Sequence, residues 1–461
     1  MSDELQYASR MSDADALMWS IEKDPLLRST ITTLMVLDAP IDHERFLHTM
    51  ERATRIIPRL RQRVRSNPLS LAPPRWEIDP HYDLNYHVRW TKATGDGTFR
   101  DLLSMAEPIG MQGFDRARPL WEVVVVEGLE DDASALIMKI HHSITDGVGG
   151  VKMMLEIFDF ERDAEPKGPL PDAPEVKVLN QAERFVDATV HETRRQASST
   201  QRTVAAGIGR LADPSESARR LGHTAASLAR FLRPAAEPMS PLMLDRSLSQ
   251  RFDALTLPLD EMKTAARKAG GRLNDAFVAG VTGGYRRYHL RHDAPTDALR
   301  MGMPISVRDE TNEGQAGNQF VPARIEVPIA TVDPVERMGA IHQIVELTRA
   351  EPYLSLSDQV SGVINRIPTT VTTAMFGSLL KAVDFTTSNV PGSPVPVFVA
   401  GAQLTRHLAF GPMAGAGANI TLMSLCDGIH VGFNTDPAAV PDPDAFMEDM
   451  AEGFDEVRSV A

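Results

Sequence analysis

The chain of 461 residues has a single cysteine, Cys426. That excludes an internal disulfide and a zinc site built from cysteines, and it suits a reducing compartment. Cations are in deficit: 48 Lys and Arg stand against 62 Asp and Glu, for a net charge of −14. Phosphate recognition leans on an excess of Lys and Arg, so a general nucleic-acid binder is not expected. No run approaches ~20 uninterrupted apolar residues, which argues against a membrane-spanning helix. The start, MSDELQYASRMSDADALMWS, is acidic and lacks an apolar stretch behind a basic one, so it does not read as a secretory signal. The G-x-S-x-G turn that presents a serine nucleophile in α/β-hydrolases is also missing.

What remains is the composition of an ordinary globular protein, 43% hydrophobic and 24% charged, long enough for two or three domains or one closely packed pair. Its most informative stretch is His141-His142-Ser143-Ile144-Thr145-Asp146-Gly147. Residues 133–140 (ASALIMKI) form an apolar run suited to a buried strand, and residues 148–158 (VGGVKMMLEIF) space their apolar positions as a helix does. Two imidazoles thus sit where a strand ends and the chain turns at Gly147. Neighbouring strand side chains point to opposite faces, so one histidine can face a cleft while the other packs into the framework. With an ordinary pKa of ~6.5, histidine is available as a base near neutral pH. Asp146 can point toward the imidazole or away from it. A metal site would need more ligands than His-x-x-x-Asp supplies.

Along the chain, residues 30–37 read as a strand, 43–57 as a helix, 84–90 as a strand and 99–109 as a helix. Residues 120–126 (LWEVVVV) read as a strand able to pair with 133–140 across a turn at 127–132. Residues 59–65 (RLRQRVR) read as an edge strand with a solvated basic face, or as a patch for the phosphates of a CoA thioester or an anionic lipid. Residues 165–176 are Pro-rich and charged, a linker or crossover. Residues 180–231 are Ala- and Arg-rich with a helical apolar stripe. They read as surface helices joining two domains, or as a basic amphipathic element resting on lipid. Strands are then expected at 252–257, 300–307, 320–327, 384–390, 420–425 and 429–433, the last two flanking a turn at Cys426-Asp427-Gly428. Helices are expected at 259–268, 274–290, 334–349 and 442–460. Residues 355–383 read as an amphipathic stretch that packs in the core or lines a lipid channel.

HHSITDG resembles the HHxxxDG motif of the acyltransferases that include chloramphenicol acetyltransferase, peptide-synthetase condensation domains and the bacterial wax ester synthase/diacylglycerol acyltransferases. Its companions resemble the last group: Pro119-Leu120-Trp121, Asn274-Asp275, residues 303–308 (MPISVR), residues 317–320 (GNQF) and Ser388-Asn389-Val390-Pro391-Gly392. The resemblance implies an α/β fold of two chloramphenicol acetyltransferase-like subdomains with mixed sheets, joined by a helical crossover, with the active-site tunnel between them. The expected division is residues 1–163 with HHSITDG, 164–250 as linker and crossover, and 251–461 as the second subdomain. The resemblance also implies transfer of a long acyl chain from acyl-CoA to the hydroxyl of diacylglycerol or a fatty alcohol. His142 is then the expected base, with His141 and Asp146 beside it. Asp146 would turn away from substrate and pair with an arginine, best Arg308. Gly147, Asn274 and Asp275 would support the site, and Trp121, Ser388 and Asn389 would line the substrate channel. No metal or other cofactor is implied, acyl-CoA being a substrate, and the protein is expected in the cytoplasm, in peripheral contact with the membrane or lipid inclusions. The alternatives are a condensation-type enzyme acting on an amine and a non-catalytic lipid-binding relative.

Overall fold

The computed structural model describes residues 7–67, 72–144, 150, 153–210, 237–306, 320–351, 364 and 369–461. In chain order the elements are α1 (Asp13–Ile21), β1 (Thr30–Leu37), α2 (His43–Ile56), β2 (Gln62–Arg65), β3 (Arg75–Ile78), β4 (Val88–Lys92), α3 (Phe99–Met111), β5 (Trp121–Glu127), β6 (Ser134–His141) and α4 (Gln181–Arg210). They continue with β7 (Arg251–Pro258), α5 (Leu259–Lys268), α6 (Leu273–Arg291), β8 (Ala298–Ser306), β9 (Phe320–Pro328), α7 (Pro334–Arg349), α8 (Thr369–Lys381), β10 (Phe385–Val390), β11 (Phe398–Val399), β12 (Ala402–Phe410), β13 (Ala418–Leu425), β14 (Gly428–Thr435) and α9 (Pro443–Arg458).

The strands form two six-stranded mixed sheets, ordered β11-β12-β1-β6-β5-β4 and β7-β14-β13-β10-β8-β9, with β2 and β3 as a separate hairpin. In the first sheet β6 lies between β1 and β5, antiparallel to both. All eight of its residues are buried, which explains an apolar run without alternation: both faces of the strand are covered. The α3 residues Leu102, Leu103 and Ala106 pack on one face against Leu34 and Ile137. The α2 residues Phe46, Met50 and Ala53 pack on the other against Met35, Leu37 and Leu136. The second sheet buries one face under α5, α6, α7 and α9. There α6 and α9 come close because Gly284 and Gly453 face each other; a Cβ at Gly453 would overlap the Gly284 backbone.

Sheet membership departs from chain order at one place. β11 and β12, from the expected second subdomain, are hydrogen-bonded into the first sheet, Thr33 opposite Ala409 and Met35 opposite His407. The far end of β12 rests on the second sheet. Asn419 Oδ1 accepts the Gly411 amide at 3.0 Å and Asn434 Nδ2 donates to the Gly411 carbonyl at 3.0 Å. Gly432 lets the Ala409 carbonyl approach β14. Phe252 of β7 stacks on Phe410 at 4.1 Å, and Arg100 of α3 donates to the Phe252 carbonyl. The halves are interlocked by β11 and β12, which cross from the second half into the first sheet.

Several local expectations need correction. Residues 84–90 do not form one strand: Asp83 accepts the Asn85 amide and caps a helical turn, Leu84–His87, before β4 begins. Residues 59–65 begin as a 3-10 turn, Pro58–Arg61, and only then extend as β2. Three of their four arginines have structural partners: Arg59 is buried over the Trp76 ring at 4.1 Å, Arg61 pairs with Glu51 at 2.6 Å and Arg63 with Asp79 at 3.5 Å. That arrangement leaves these three cations on structural duty rather than in a phosphate patch. The 180–231 stretch contributes one long helix, α4, and residues 211–236 lie outside the described part, as do 352–363 and 365–368 of the amphipathic stretch.

Candidate active site

β6 delivers the histidine pair between its two neighbours. The His141 amide donates to the Leu120 carbonyl at 3.0 Å and the His142 amide to the Ser29 carbonyl at 2.8 Å. His141 is the member that packs into the framework, 2% exposed. Its Nδ1 accepts the Ser143 amide at 3.1 Å, with Ser143 Oγ at 2.7 Å. Its Nε2 lies 2.8 Å from Glu22 Oε1. A carboxylate only accepts, so Nε2 carries the proton and the tautomer is set. His142, one residue on, is half-buried.

Glu22 is the functional-site residue that sequence reasoning missed. It follows α1 as its C-terminal cap, accepts the Ser29 amide at 2.6 Å and pairs with Arg116 at 3.3 Å. Burial alone would push its carboxyl up. The charge and hydrogen bond of His141, the Ser29 amide and Arg116 outweigh that and hold it below the usual carboxylate range. A signal was present in the sequence: an acid at a helix C-terminus opposes the helix dipole, so it needs another reason to be there. Aromatic rings flank His141. The Trp19 ring meets His141 edge-on at 5.4 Å, Phe114 at 6.1 Å, and Arg116 lies over Trp19 at 4.1 Å.

Trp121 is buried one register step away, opposite Ile140. Its indole donates to the Leu60 carbonyl at 2.7 Å and stacks on His87 at 4.6 Å. The His87 Nδ1 bonds the Trp121 carbonyl at 2.7 Å, and burial pushes its pKa down to about 4. Pro119-Leu120-Trp121 therefore supports the strand that carries the histidines, with Trp121 enclosed by protein. Beyond the motif, Met153, Met154, Ile157 and Phe158 are buried. Lys167, from the charged linker, donates to the carbonyls of Glu156 at 2.8 Å and Phe158 at 2.6 Å, holding that segment's end.

A serine–histidine contact elsewhere is not a second site. Ser240 Oγ lies 2.8 Å from His289 Nε2. Ser240 is wholly buried, and its oxygen caps the amides of Leu242 and Met243. Among the described residues no three His, Cys, Asp or Glu side chains are placed to hold a metal ion, and no helix is long and apolar enough to cross a membrane.

The wax ester synthase/diacylglycerol acyltransferase catalytic domain matches residues 11–277, and the C-terminal domain of the same family matches residues 316–458. A Mycobacterium tuberculosis protein named for diacylglycerol O-acyltransferase activity is 35% identical across 99% of this chain and 93% of its own length. The chain belongs to the wax ester synthase/diacylglycerol acyltransferase family. It is an acyltransferase by that membership. In fold it is similar to the wax ester synthase/diacylglycerol acyltransferase from Marinobacter aquaeolei VT8, with a TM-score of 0.65 at 21% identity over 98% of both chains. It is also similar to the starter condensation domain of rhizomide synthetase in complex with C8-CoA, with a TM-score of 0.62 at 14% identity over 99% of this chain and 95% of that one. The mixed α/β fold shared with these structures is the one expected from the sequence.

The other motif residues of this acyltransferase fall on the second sheet, on a helix that covers it, or outside the described residues. Asn274 and Asp275 open α6. Asn274 Nδ2 lies 3.7 Å from Met303 Sδ, and Asp275 accepts the Arg272 amide at 2.7 Å and bonds His342 at 2.8 Å. Asn274 thus touches β8, and Asp275 joins α6 to α7. Ser388 and Asn389 lie on β10, Ser388 half-buried and Asn389 exposed. Gly392 is required by packing: a Cβ there would overlap the Ser424 carbonyl oxygen. Asp146, Gly147 and Arg308 lie outside the described residues.

Proposed function

We propose that the protein transfers a long acyl chain from acyl-CoA to the hydroxyl of diacylglycerol or a fatty alcohol, with His142 as the general base. What supports this most directly is the division of the histidine pair. His141 is immobilised by Glu22 and Ser143, while His142 stands at the strand end, half-buried, in a chain whose relatives are named for this activity. An alcohol is a weak nucleophile at neutral pH. As its oxygen bonds the thioester carbonyl, its proton passes to His142; the C–S bond then breaks and the CoA sulfur takes that proton. A positioned base supplies roughly 10²–10⁴ in rate, and orientation and oxyanion stabilisation supply the rest. Asp146, turned from substrate toward Arg308, would hold the loop that presents the base. No metal or cofactor takes part in this scheme.

The protein would work at a lipid surface without crossing it. Phe185, Val186 and Val190 on α4 are exposed apolar groups beside the Arg-rich stretch, and both substrates are lipids.

Purified protein incubated with radiolabelled palmitoyl-CoA and separate pools of diacylglycerol, hexadecanol and a long-chain amine tests the reading. Labelled triacylglycerol or wax ester that survives dialysis against a chelator supports it. Amide as the main product favours a condensation-type enzyme, and no product with intact binding favours a non-catalytic carrier.

A further inference from the structure

Where β12 passes between the sheets, two histidines meet that the proposed mechanism does not use. The contacts Gly411 with Asn434 and Ala409 with Gly432 set β12 alongside β14 in steps of two residues. The next step places His407 opposite His430. His407 is 2% exposed and His430 5%. The Nε2 of His407 is buried and meets no hydrogen-bond partner among the described residues, whereas His430 Nδ1 lies 3.3 Å from Thr256 Oγ1. Burial, then the proximity of His430, lowers His407 to about 3, and burial, then the proximity of Arg406, lowers His430 to about 4. Both are neutral at physiological pH, and a neutral imidazole offers one N–H and one acceptor nitrogen.

The surroundings are apolar and are drawn from elements near the site. Phe158, at the end of the segment after HHSITDG, meets His407 edge-on at 6.2 Å. Across the second sheet, His430 is followed in register by Met423 and then Val390 of Ser388-Asn389-Val390-Pro391-Gly392. Val390 and Met423 pack with Ala409 as a small cluster of their own. On the first sheet His407 lies opposite Met35, which lies opposite Leu136, six residues before His142. At ~3.3 Å per strand residue, that is roughly 20 Å from the base. A core that needed only to be filled would gain nothing from an imidazole whose Nε2 meets no partner among the described residues, since a buried polar atom without one is costly.

We infer that His407, with His430 opposite, forms a polar subsite between the sheets for an oxygen-bearing position on a lipid chain, so that hydroxylated long chains are bound in preference to plain ones. This rests on the acyltransferase reading for its substrates, but not for its test. The hydroxyl can arrive on the acyl donor or on the alcohol acceptor, and either would hydrogen-bond the imidazole in the same way.

Calorimetric binding and single-turnover assays should compare octadecanoyl-CoA with 16-hydroxyoctadecanoyl-CoA, and octadecanol with 1,16-octadecanediol. The parent protein should favour the hydroxylated member of one pair by about fivefold, as expected for one net hydrogen bond of about 1 kcal/mol; the pair that shows it identifies the donor or acceptor chain. In His407→Met the preference should vanish while the melting temperature holds or rises, since an apolar group replaces an unpartnered polar one. His407→Gln should keep part of the preference. Equal binding of both members of both pairs by the parent protein overturns the inference, as does a preference that survives in His407→Met. A drop in melting temperature in His407→Met that His407→Gln reverses, without any change in preference, also overturns it and makes the role structural. Selective binding without acyl transfer leaves the subsite standing and removes the proposed function instead.

Discussion

The Nε2 of His141 donates to Glu22 across 2.8 Å, joining the last residue of the central strand to the residue that ends the first helix. The contact fixes the ring plane, the tautomer and the strand end at once. It also distinguishes the two adjacent histidines: His141 is buried and held, while His142 is half-buried.

His142→Ala is expected to abolish acyl transfer with the melting temperature nearly unchanged, because a half-buried strand-end position tolerates truncation. His141→Ala should lose more stability and less activity. Steady-state rates and thermal melts of both variants decide this; a His141 variant that melts normally and is inactive would exchange the two roles.

Glu22→Ala orphans the His141 N–H and the Ser29 amide, and each buried unpaired donor costs about 1–3 kcal/mol. Activity should fall with stability, since His142 follows directly on the loosened ring. The pH dependence has a definite sign. The folded-state carboxyl titrates below its unfolded value, about 4.3. Its ionised form therefore adds stability above that value, and the contribution is lost as pH falls through the lowered folded value. Melting temperatures followed from neutral to strongly acid pH should drop less steeply in Glu22→Gln than in the parent protein across that acid window.

Asp146 and Arg308 are proposed to pair across the two halves. Removing one partner of a buried pair typically costs about 3–5 kcal/mol, so Asp146→Asn and Arg308→Ala should each lower stability and activity. The double variant should lose less than the sum of the two. Strictly additive losses in that cycle would return Asp146 to the role of orienting His142.

Gly392→Ala should destabilise by about 1–3 kcal/mol, the usual cost of overpacking. The atom it would strike is the Ser424 backbone carbonyl, which cannot swing aside as a flexible side chain would. Chemical denaturation measures it; an unchanged midpoint would mean that the segment after β10, which carries Gly392, shifts freely.

Changing the arginines of residues 180–231 to Gln should weaken flotation with anionic liposomes if this stretch rests on lipid. Arg195 is already paired with Asp13 at 2.7 Å, and Arg10 and Arg75 with Asp187. The start of α4 is therefore docked on the first half, and flotation that does not change would make the whole stretch a connector.

By itself the sequence determined every element whose pattern is local. β1, α5 and α7 occupy the expected residues, and β5, β6 and the turn between them differ from expectation by a residue or so. In each, burial of a stripe or of both strand faces is written into consecutive residues. The two-residue turn at Cys426 and Asp427, with Cys426 at φ 53°, was legible for the same reason. The motif and its companions were legible because chemistry restricts residue type as strongly as packing does.

Tertiary structure alone decided the rest. β11 and β12 went unrecognised because their partners lie in the opposite half of the chain: Thr33 pairs with Ala409, and no local period records a register made at that distance. The turn at Leu84–His87 went unrecognised because its apolar residues suit a strand equally well, and the choice fell to the Asp83 cap and the stacking of His87 on Trp121. Which of the adjacent histidines would be locked was open until Glu22 arrived from the first helix. Alternation places neighbouring side chains on opposite faces of a strand, but only the neighbours brought by the fold determine which of them is enclosed.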